Sequence, residues 1–285
     1  MGTLKAVTST NQQYVKYTYT YNGTVYTGIH RFETKAGTQS IMPAIAYENF
    51  KYLSNMNPAT VAAENVICKT NGFIQTYGTN RFYGVFYQGQ GHTMYVDGIA
   101  YSKPESVYSG NLAFTEHFYP SFCVKKDGTA TIRWFENPTQ IAEAAKFCQC
   151  IFGSYHPLIY DNKNVMTTRV LDKYDNVLIC DPSNLKGGSR RFRGGEANID
   201  GREKRTLLGH KSGSSGIYIM VCVDTGMPLI AAASMMKDFG CDYAVNMDGG
   251  LPSEMRVKKG YGAEGKVTNG SSLALPTAVC AFKKQ

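Results

Sequence analysis

The stretch Tyr14-Val15-Lys16-Tyr17-Thr18-Tyr19-Thr20-Tyr21-Asn22-Gly23-Thr24-Val25-Tyr26 places an Asn-Gly pair between two runs of β-branched and aromatic residues. This arrangement predicts a β-hairpin over residues 13–32, because Asn-Gly is the preferred two-residue turn between strands of period two. Short runs rich in Tyr, Phe, Val and Thr continue to Phe135 and end at Asp-Gly turns. The sequence therefore predicts a fold in which sheets dominate.

Helix signals occur in three further segments, which begin at Pro58, at Pro138 and near Pro228. Proline is favoured at the first helical position because its fixed φ suits the helix. The second segment keeps helical spacing of apolar residues as far as Phe152, and the third ends at Gly240. The predicted fold class is α+β: a single domain with mixed β-sheets and about three helices.

Composition excludes several classes of protein. The 285 residues are 43% hydrophobic and 18% charged, which is too apolar for a disordered chain. No run approaches the roughly 20 apolar residues of a membrane span. The formal net charge of +8 favours an anionic partner, such as nucleic acid, a phosphorylated glycan or an acidic membrane surface.

The eight cysteines predict buried free thiols rather than a disulfide framework, because most lie in apolar runs and none forms a CxxC pair. The polar segment 1–14 lacks the basic and apolar regions of a secretory signal. The expectation is a protein without a signal peptide that is made in the cytoplasm.

The densest group of polar residues is Asn246-Met247-Asp248-Gly249-Gly250, at the end of an apolar strand. Period-two geometry predicts that Asn246 and Asp248 face the same side, while the glycines allow a sharp turn or a close approach to a ligand. An Asp that only initiates a turn is the alternative interpretation.

Three more polar residues stand near strand ends: Asn71 before Gly72, Arg205 before Thr206, and Asp224 after an apolar strand. The planar fork of an arginine can bind two phosphate oxygens, although an arginine at a strand start is usually a surface residue. Asp224 can cap the following helix or face a cleft. We expect Asn71, Arg205, Asp224, Asn246 and Asp248 to converge on one cleft.

Together these motifs resemble the phosphodiester glycosidase family. They occur in the family's order, over residues 55–285: Asn71-Gly72-Phe73, Gly153 to Val165, Arg205-Thr206-Leu207-Leu208-Gly209, Val221 to Asp224, Leu229 to Gly250, and Leu275 to Phe282. Residues 55–285 are therefore predicted to form a phosphodiester glycosidase-like domain, with residues 1–54 as an N-terminal β-hairpin region packed on it. The basic, glycine-rich loop lies in an insertion, 167–204, that is unusual for the family.

The resemblance implies a hydrolase that cleaves a sugar-1-phosphodiester or a related glycosidic bond. It implies catalytic roles for Asp248, Asp224 and Arg205, with the arginine clamping the phosphate. Substrate-binding roles fall to the remaining motif residues: Asn71, Gly72, Thr206, Asn246, Gly249, Gly250 and Ser253. No cofactor and no metal site are predicted, although a divalent metal stays open.

The chain departs from the family where Leu251 and Pro252 replace the Gly and Ser of the usual Asp-Gly-Gly-Gly-Ser-Ser run. A catalytically degenerate glycan-binding protein is therefore the alternative, for example a virion or tail component assembled into a phage particle. Arginines around Phe192 in the segment 186–195 raise a third hypothesis, nucleic-acid binding. That hypothesis ranks last because no nucleic-acid recognition signature accompanies the segment.

Overall fold

The computed structural model describes residues 2–9, 11–46, 50–72, 84–96, 99–104, 120–135, 137–154, 156–167, 170–171, 177–178, 201–269 and 271–285. About 50% of these residues lie in strands and 12% in helices. Every strand pair among them is antiparallel. The predicted α+β class with mixed sheets is therefore wrong, since the described part of the chain is mostly β.

The largest sheet has eight strands and contains the predicted hairpin. Its order is β1 (Thr3–Ala6), β2 (Tyr14–Tyr21), β3 (Thr24–Glu33), β18 (Tyr218–Met227), β17 (Glu203–Lys211), β19 (Cys241–Asn246), β13 (His156–Tyr160) and β14 (Lys163–Asn164). Asn22 and Gly23 form the turn between β2 and β3 with φ values of 48° and 77°. Both residues tolerate this left-handed conformation, so the hairpin prediction is confirmed.

Two smaller sheets complete the main architecture. The five-stranded sheet has the order β21 (Gly265–Lys266), β20 (Met255–Val257), β6 (Val66–Asn71), β23 (Thr277–Lys283) and β4 (Gln39–Ile45). The six-stranded sheet has the order β11 (Ala130–Arg133), β10 (Ser121–Lys125), β12 (Cys148–Gly153), β7 (Val85–Tyr87), β8 (Met94–Val96) and β9 (Ile99–Tyr101).

Two short ladders pair β22 (Ala274–Leu275) with β5 (Lys51–Tyr52) and β15 (Val170–Leu171) with β16 (Val177–Leu178). The predicted N-terminal region 1–54 contributes to two of the larger sheets, since β3 pairs with β18 and β4 with β23. The boundary between residues 54 and 55 stays a prediction.

The described residues contain two α-helices rather than three: α1 (Pro138–Phe147) and α2 (Leu229–Asp238). The segment after Pro58 forms a turn, closed by Val61 N–H to Pro58 O at 3.3 Å, and a 3-10 turn at Ala63–Asn65. It holds too few residues before β6 to repay helix nucleation. In the described part of the chain, no helix is long and apolar enough to cross a membrane.

The prediction that the second helix continues to Phe152 is also wrong. The helix ends at Phe147, and the next six residues form β12 between β10 and β7. The apolar residues of this segment fit both a helix face and a fully buried strand, which periodicity alone does not separate. Pairing with β10 on one side and β7 on the other stabilises the strand instead of the helix. The third prediction is confirmed, because α2 begins after Pro228 and Gly240 follows it with a φ of 86°.

The eight-stranded sheet presents two buried faces, and this determines where the site residues lie. Residues of β17 alternate, so Thr206 and Leu208 face one side while Leu207 and Gly209 face the other. The side of Gly209 contacts α2: a Cβ at this glycine would lie 2.8 Å from Met236 Cε. The side of Thr206 contacts β6 of the five-stranded sheet, through the Asn71 side chain.

Seven cysteines lie in the described residues, and all of them are buried with free thiols. We expect most of the eight cysteines to react as free thiols when the protein is denatured without a reductant. A thiol titration in denaturant with a chromogenic disulfide reagent measures this number. Two or more bridged pairs would contradict the prediction and would indicate an oxidising compartment.

Candidate functional site

Asn71 is the hydrogen-bonding centre of the candidate site. It ends β6 and is fully buried. Its Nδ2 donates to the Asp248 carbonyl oxygen at 3.0 Å, while its Oδ1 accepts from Thr206 Oγ1 at 2.7 Å and from Glu254 N–H at 3.1 Å. One amide side chain therefore ties together the end of β6, the strand β17 and the segment after β19.

The Asp-Gly-Gly turn follows β19 and packs directly on neighbouring backbone. Asp248 N–H donates to Gly72 O at 3.0 Å, and Gly250 N–H donates to Lys204 O at 2.9 Å. A Cβ at Gly249 would lie 2.5 Å from Lys204 O, which is closer than real Cβ contacts allow. The glycine after Asp248 is therefore a packing requirement, and it fixes the backbone that carries the carboxyl.

Gly72 packs against the other side of this turn and, like Gly249, lies where a Cβ would clash with a neighbouring strand. Its N–H donates to Thr277 O at 3.0 Å, and a Cβ at this position would lie 2.4 Å from Thr277 Oγ1. A larger residue would push β6 away from β23 and move the carbonyl that holds Asp248 N–H. Gly72 thus acts on the Asp248 backbone through a close approach of strands.

The Asp248 side chain is partly buried. Burial raises the pKa of Asp248 to about 7, and the hydrogen bond from Gly249 N–H opposes that rise. A carboxyl with this pKa is protonated in a large fraction of molecules at neutral pH. It can therefore give a proton to a leaving group, which is the property that a general acid needs.

Asp224 lies inside β18 rather than at the end of a strand, because β18 continues to Met227. Its Oδ2 is 2.8 Å from His30 Nε2, and its Oδ1 accepts from Asn269 N–H at 2.9 Å. Burial raises the pKa of Asp224, but these two hydrogen bonds and the electrostatic influence of His30 and Lys204 outweigh burial and hold the pKa below its ordinary value. Asp224 is therefore a carboxylate at neutral pH.

Contacts connect the surroundings of the two carboxyls. Thr206 Oγ1 lies 3.6 Å from Cys222 Sγ on the neighbouring strand, and Cys222 Sγ is 3.5 Å from Glu254 O. Period-two alternation puts Cys222 and Asp224 on the same face of β18. Asp224 therefore lies on the same sheet face as Thr206. Thr206 donates to Asn71, which in turn donates to the backbone carbonyl of Asp248.

Arg205 is buried beside the Asp-Gly-Gly turn, with its Cδ 3.9 Å from the position of a Cβ at Gly249. Its Nε donates to Met227 O at 2.8 Å and its Nη2 to Gly201 O at 2.7 Å. Burial lowers the pKa of Arg205 to about 10, against the raising effect of Glu203. The guanidinium remains charged at neutral pH, and part of it holds the ends of β17 and β18 together.

Asn246 has different neighbours from those of Asn71 and Thr206. It pairs in register with Leu207 and His156, so period-two alternation puts it on the face opposite Thr206. Its Nδ2 lies 3.3 Å from His156 Nδ1, and its buried Oδ1 has no hydrogen-bond partner among the described residues. Hydrogen bonds thus join Asn71 to Thr206 and to the Asp248 backbone, and Arg205 packs against Gly249. Asn246 lies on the face opposite Thr206.

Two buried polar atoms follow the turn. Ser253 Oγ and Glu254 Oε2 have no hydrogen-bond partner within the described ranges, while Glu254 Oε1 accepts from Arg256 Nε at 2.5 Å. A buried polar atom without a partner is unusual in a folded protein and is one that a ligand can satisfy. The sequence predicted Ser253 but missed Glu254, although Glu254 directly follows the motif.

The sequence also missed His30 and Tyr14, which contact Asp224 directly or through one another. Their only sequence signal is a polar aromatic residue on an otherwise apolar strand face, which more often marks a satisfied core residue. Where the chain is described, no group of three or more His, Cys, Asp or Glu side chains has the arrangement of a metal centre. The basic segment 186–195 lies outside the described residues.

Comparison with known proteins identifies the family of the chain. A sequence profile of the phosphodiester glycosidase family matches residues 64–282, which is most of the chain. The chain belongs to the phosphodiester glycosidase family. No curated protein sequence matches it significantly.

Two solved structures share the fold of this phosphodiester glycosidase family member at low sequence identity. The catalytic domain of zebrafish N-acetylglucosamine-1-phosphodiester alpha-N-acetylglucosaminidase, auto-inhibited by its pro-peptide, is 16% identical with a TM-score of 0.57. The alignment covers 100% of this chain and 83% of that one. A hypothetical protein from Synechocystis is 11% identical with a TM-score of 0.56, over 99% of this chain and 64% of that one. At such identities the likeness shows the fold alone.

We expect Thr206→Val to lower the free energy of unfolding by about 1–2 kcal/mol, because it removes a donor from the buried Asn71 Oδ1 while keeping the shape of the side chain. Urea unfolding at pH 8 measures the loss. Thr27→Val is the matched control, since Thr27 is exposed on β3 and its change should fall within about 0.5 kcal/mol of zero. Equal losses in the two variants would contradict the role of Asn71 as a centre.

Proposed function

We propose that this protein hydrolyses a sugar-1-phosphodiester, with N-acetylglucosamine as the first sugar to test. The observation that carries the proposal is the pair of carboxyls with opposite pKa shifts, Asp248 raised to about 7 and Asp224 lowered. Environments that push two carboxyl pKa values apart are typical of acid and base assignments in hydrolases. Family membership and the fold of the zebrafish enzyme support the substrate class.

In the proposed reaction, the bond between the anomeric carbon and the phosphate oxygen breaks. Asp248 donates its proton to that oxygen, and the phosphate leaves as a monoester. The Asp224 carboxylate stabilises positive charge at the anomeric carbon or accepts a proton from the attacking water, whose oxygen adds to the sugar. A phosphate ester is already a good leaving group, and the proton from Asp248 lowers the remaining barrier to its departure.

Arg205 is proposed to stabilise the negative charge of the departing phosphate. A fixed guanidinium in a site from which water is excluded acts most strongly where charge develops in the transition state. Ser253 Oγ is proposed to bind a sugar hydroxyl, because it is buried and unpartnered in the described structure. Asn71 and Thr206 would then support the site by fixing the Asp248 backbone.

The departure from the family motif is compatible with this activity. Leu251, the first of the two replacements, is 62% exposed, so its side chain lies largely in solvent rather than inside the turn. Ser253, which keeps the family's residue type, is buried. The alternative glycan-binding role and the virion partner remain expectations from the resemblance.

Steady-state hydrolysis of a methyl N-acetylglucosamine-1-phosphodiester in ¹⁸O-labelled water tests the proposal. We expect free N-acetylglucosamine that carries the ¹⁸O label, together with unlabelled methyl phosphate, because water attacks carbon. Label in the phosphate would identify a phosphodiesterase and refute the glycosidase mechanism. Saturable binding of the diester without turnover would support the glycan-binding alternative instead.

A further inference from the structure

A continuous hydrogen-bonded chain joins the N-terminal hairpin to Asp224. Tyr14 OH lies 2.8 Å from His30 Nδ1, and His30 Nε2 lies 2.8 Å from Asp224 Oδ2. Tyr14 is 7% exposed, His30 2% and the Asp224 side chain 7%. We infer that Tyr14 and His30 are positioning residues that fix Asp224 as an ionised, correctly oriented carboxylate at the catalytic centre. The catalytic consequence of this inference rests on the proposed function.

Both residues lie outside the segment that the family profile matches, residues 64–282. Strand β3 pairs with β18 in a register that sets His30 opposite Cys222, two residues before Asp224. The approach is close because residue 28 is glycine: a Cβ there would lie 2.8 Å from Asp224 Cβ, and its φ of 62° suits glycine. The hairpin therefore packs its backbone against Asp224 and supplies the side chain that contacts it.

The Tyr14 hydroxyl determines which ring nitrogen of His30 carries the proton, and therefore that His30 donates to Asp224. Burial, followed by the negative charge of Asp224, raises the pKa of Tyr14 to about 12, so the phenol keeps its proton. When the phenol donates to His30 Nδ1, the imidazole proton must sit on Nε2, and it points at the carboxylate. Tyr14 thus selects the tautomer, as the partner of one ring nitrogen commonly does for the other.

The remaining groups around Asp224 and Tyr14 come from three strands and from the segment after β21. Asn269 N–H bonds Oδ1, Lys204 from β17 contributes positive charge, and the Cys222 thiol lies on the same face of β18. The Cys68 thiol of β6 faces Tyr14. Among the described residues around Asp224, only His30 donates to Oδ2, so its loss should release one carboxylate oxygen.

The chain offers a matched control in a second buried His–Asp pair. His210 is 2% exposed, and its Nδ1 lies 2.7 Å from Asp242 Oδ1. This pair stands at the far end of β17 from Arg205 and Thr206. Its disruption should perturb folding to a similar degree while leaving the candidate site intact.

The first measurement is independent of turnover. Carboxyl ¹³C NMR follows the titration of Asp224 in the wild type, His30→Leu, His30→Gln, Tyr14→Phe and His210→Gln. We expect the midpoint to rise by about one pH unit or more in His30→Leu, because a hydrogen bond to the charged form is lost. His30→Gln retains an N–H donor and should move less, Tyr14→Phe should give a smaller rise, and His210→Gln should match the wild type.

The second measurement is hydrolysis of the phosphodiester. We expect kcat to fall by about 10- to 100-fold in His30→Leu with KM changed by less than about threefold, and His30→Gln to recover most of kcat. His210→Gln should keep the wild-type kcat. If His30→Leu does not fold, Tyr14→Phe and His30→Gln carry both measurements.

Two results would overturn the inference. The first is an Asp224 midpoint unchanged in His30→Leu, or in Tyr14→Phe where that variant replaces it. The second is a kcat that falls equally in His210→Gln. A wild type that turns over no sugar phosphodiester refutes the proposed function instead. In that case the NMR titration still decides whether Tyr14 and His30 control Asp224.

Discussion

Asp248→Asn is expected to lower kcat on the sugar phosphodiester by about 1000-fold and, in the same variant, to raise the melting temperature above pH 7. The activity falls because the amide cannot donate the proton that the leaving oxygen requires, and such proton transfers contribute about 100- to 10,000-fold. The stability rises because the amide is neutral, whereas the wild-type carboxyl must ionise in surroundings that disfavour its charge.

The stability effect has a defined pH window. The folded pKa of Asp248 is about 7 against an ordinary value of 3.8, so the folded protein binds more protons than the unfolded chain between about pH 4 and 7. Wild-type stability therefore falls as pH rises through this window and levels off above it. The variant lacks this dependence, and the two proteins should differ least near pH 4 and most above pH 7, by about 2 kcal/mol or more.

Asp127→Asn is the control for removing a carboxylate elsewhere. Hydrogen bonds from Thr129 lower the pKa of Asp127, the opposite shift to that of Asp248. This variant should keep kcat and show no gain in melting temperature at pH 8. Thermal unfolding from pH 4 to 8, combined with steady-state kinetics, separates the two variants. An Asp248→Asn protein that is both inactive and less stable at pH 8 would contradict the acid assignment.

The sequence predicted elements whose signals are local. The Asn22-Gly23 turn needs only its own backbone geometry, and the helix after Pro228 has both a start and a stop signal within the segment. The second helix was predicted too long because β12 is chosen by pairing with β10 and β7, which are distant in sequence. Single-sequence periodicity carries no information about such partners.

The residues of the candidate site also fall into those with a local sequence signal and those without one. Asn71 and Asp248 were each predicted from a motif in which glycine follows directly, and the structure joins them through backbone contacts that those glycines permit. His30 was missed because its role arises from the register of β3 against β18, which no local pattern encodes. The opposite pKa shifts of the two carboxyls likewise depend on burial and on hydrogen-bond donors from distant parts of the chain.

Arg205→Ala is expected to lower turnover of the phosphodiester by about 100-fold or more at every salt concentration. The guanidinium is buried, so bulk ions screen its field on the departing phosphate far less than they screen an exposed charge. Arg205→Lys should recover only part of the activity, because a single ammonium cannot reproduce the planar fork that bonds Met227 O and Gly201 O. Kinetics from about 0.05 to 0.5 M salt measure both variants.

A purely structural role for Arg205 is the competing explanation, since the side chain holds the ends of β17 and β18. The lost hydrogen bonds should reduce the free energy of unfolding by about 2 kcal/mol, so the kinetics are measured well below the melting temperature of each variant. Millimolar guanidinium chloride, far below denaturing concentrations, should restore part of the turnover of Arg205→Ala by occupying the vacated site. Two results together would show that the shape of the side chain matters rather than its charge. Guanidinium would fail to restore the turnover of Arg205→Ala, and Arg205→Lys would regain full stability without regaining activity.

Comparison of Arg205 with the arginines of the basic segment shows which of them binds the phosphate. These arginines are Arg190, Arg191 and Arg193. The sequence predicts that they belong to a loop, where their charges would act on the substrate through water. Exposed charges are screened beyond about 10 Å at 0.1 M salt. The triple alanine variant should therefore keep kcat and raise KM, and added salt should raise the wild-type KM in the same way. If this variant loses kcat and Arg205→Ala retains it, the phosphate is clamped by the basic segment, and Arg205 serves only to join β17 to β18.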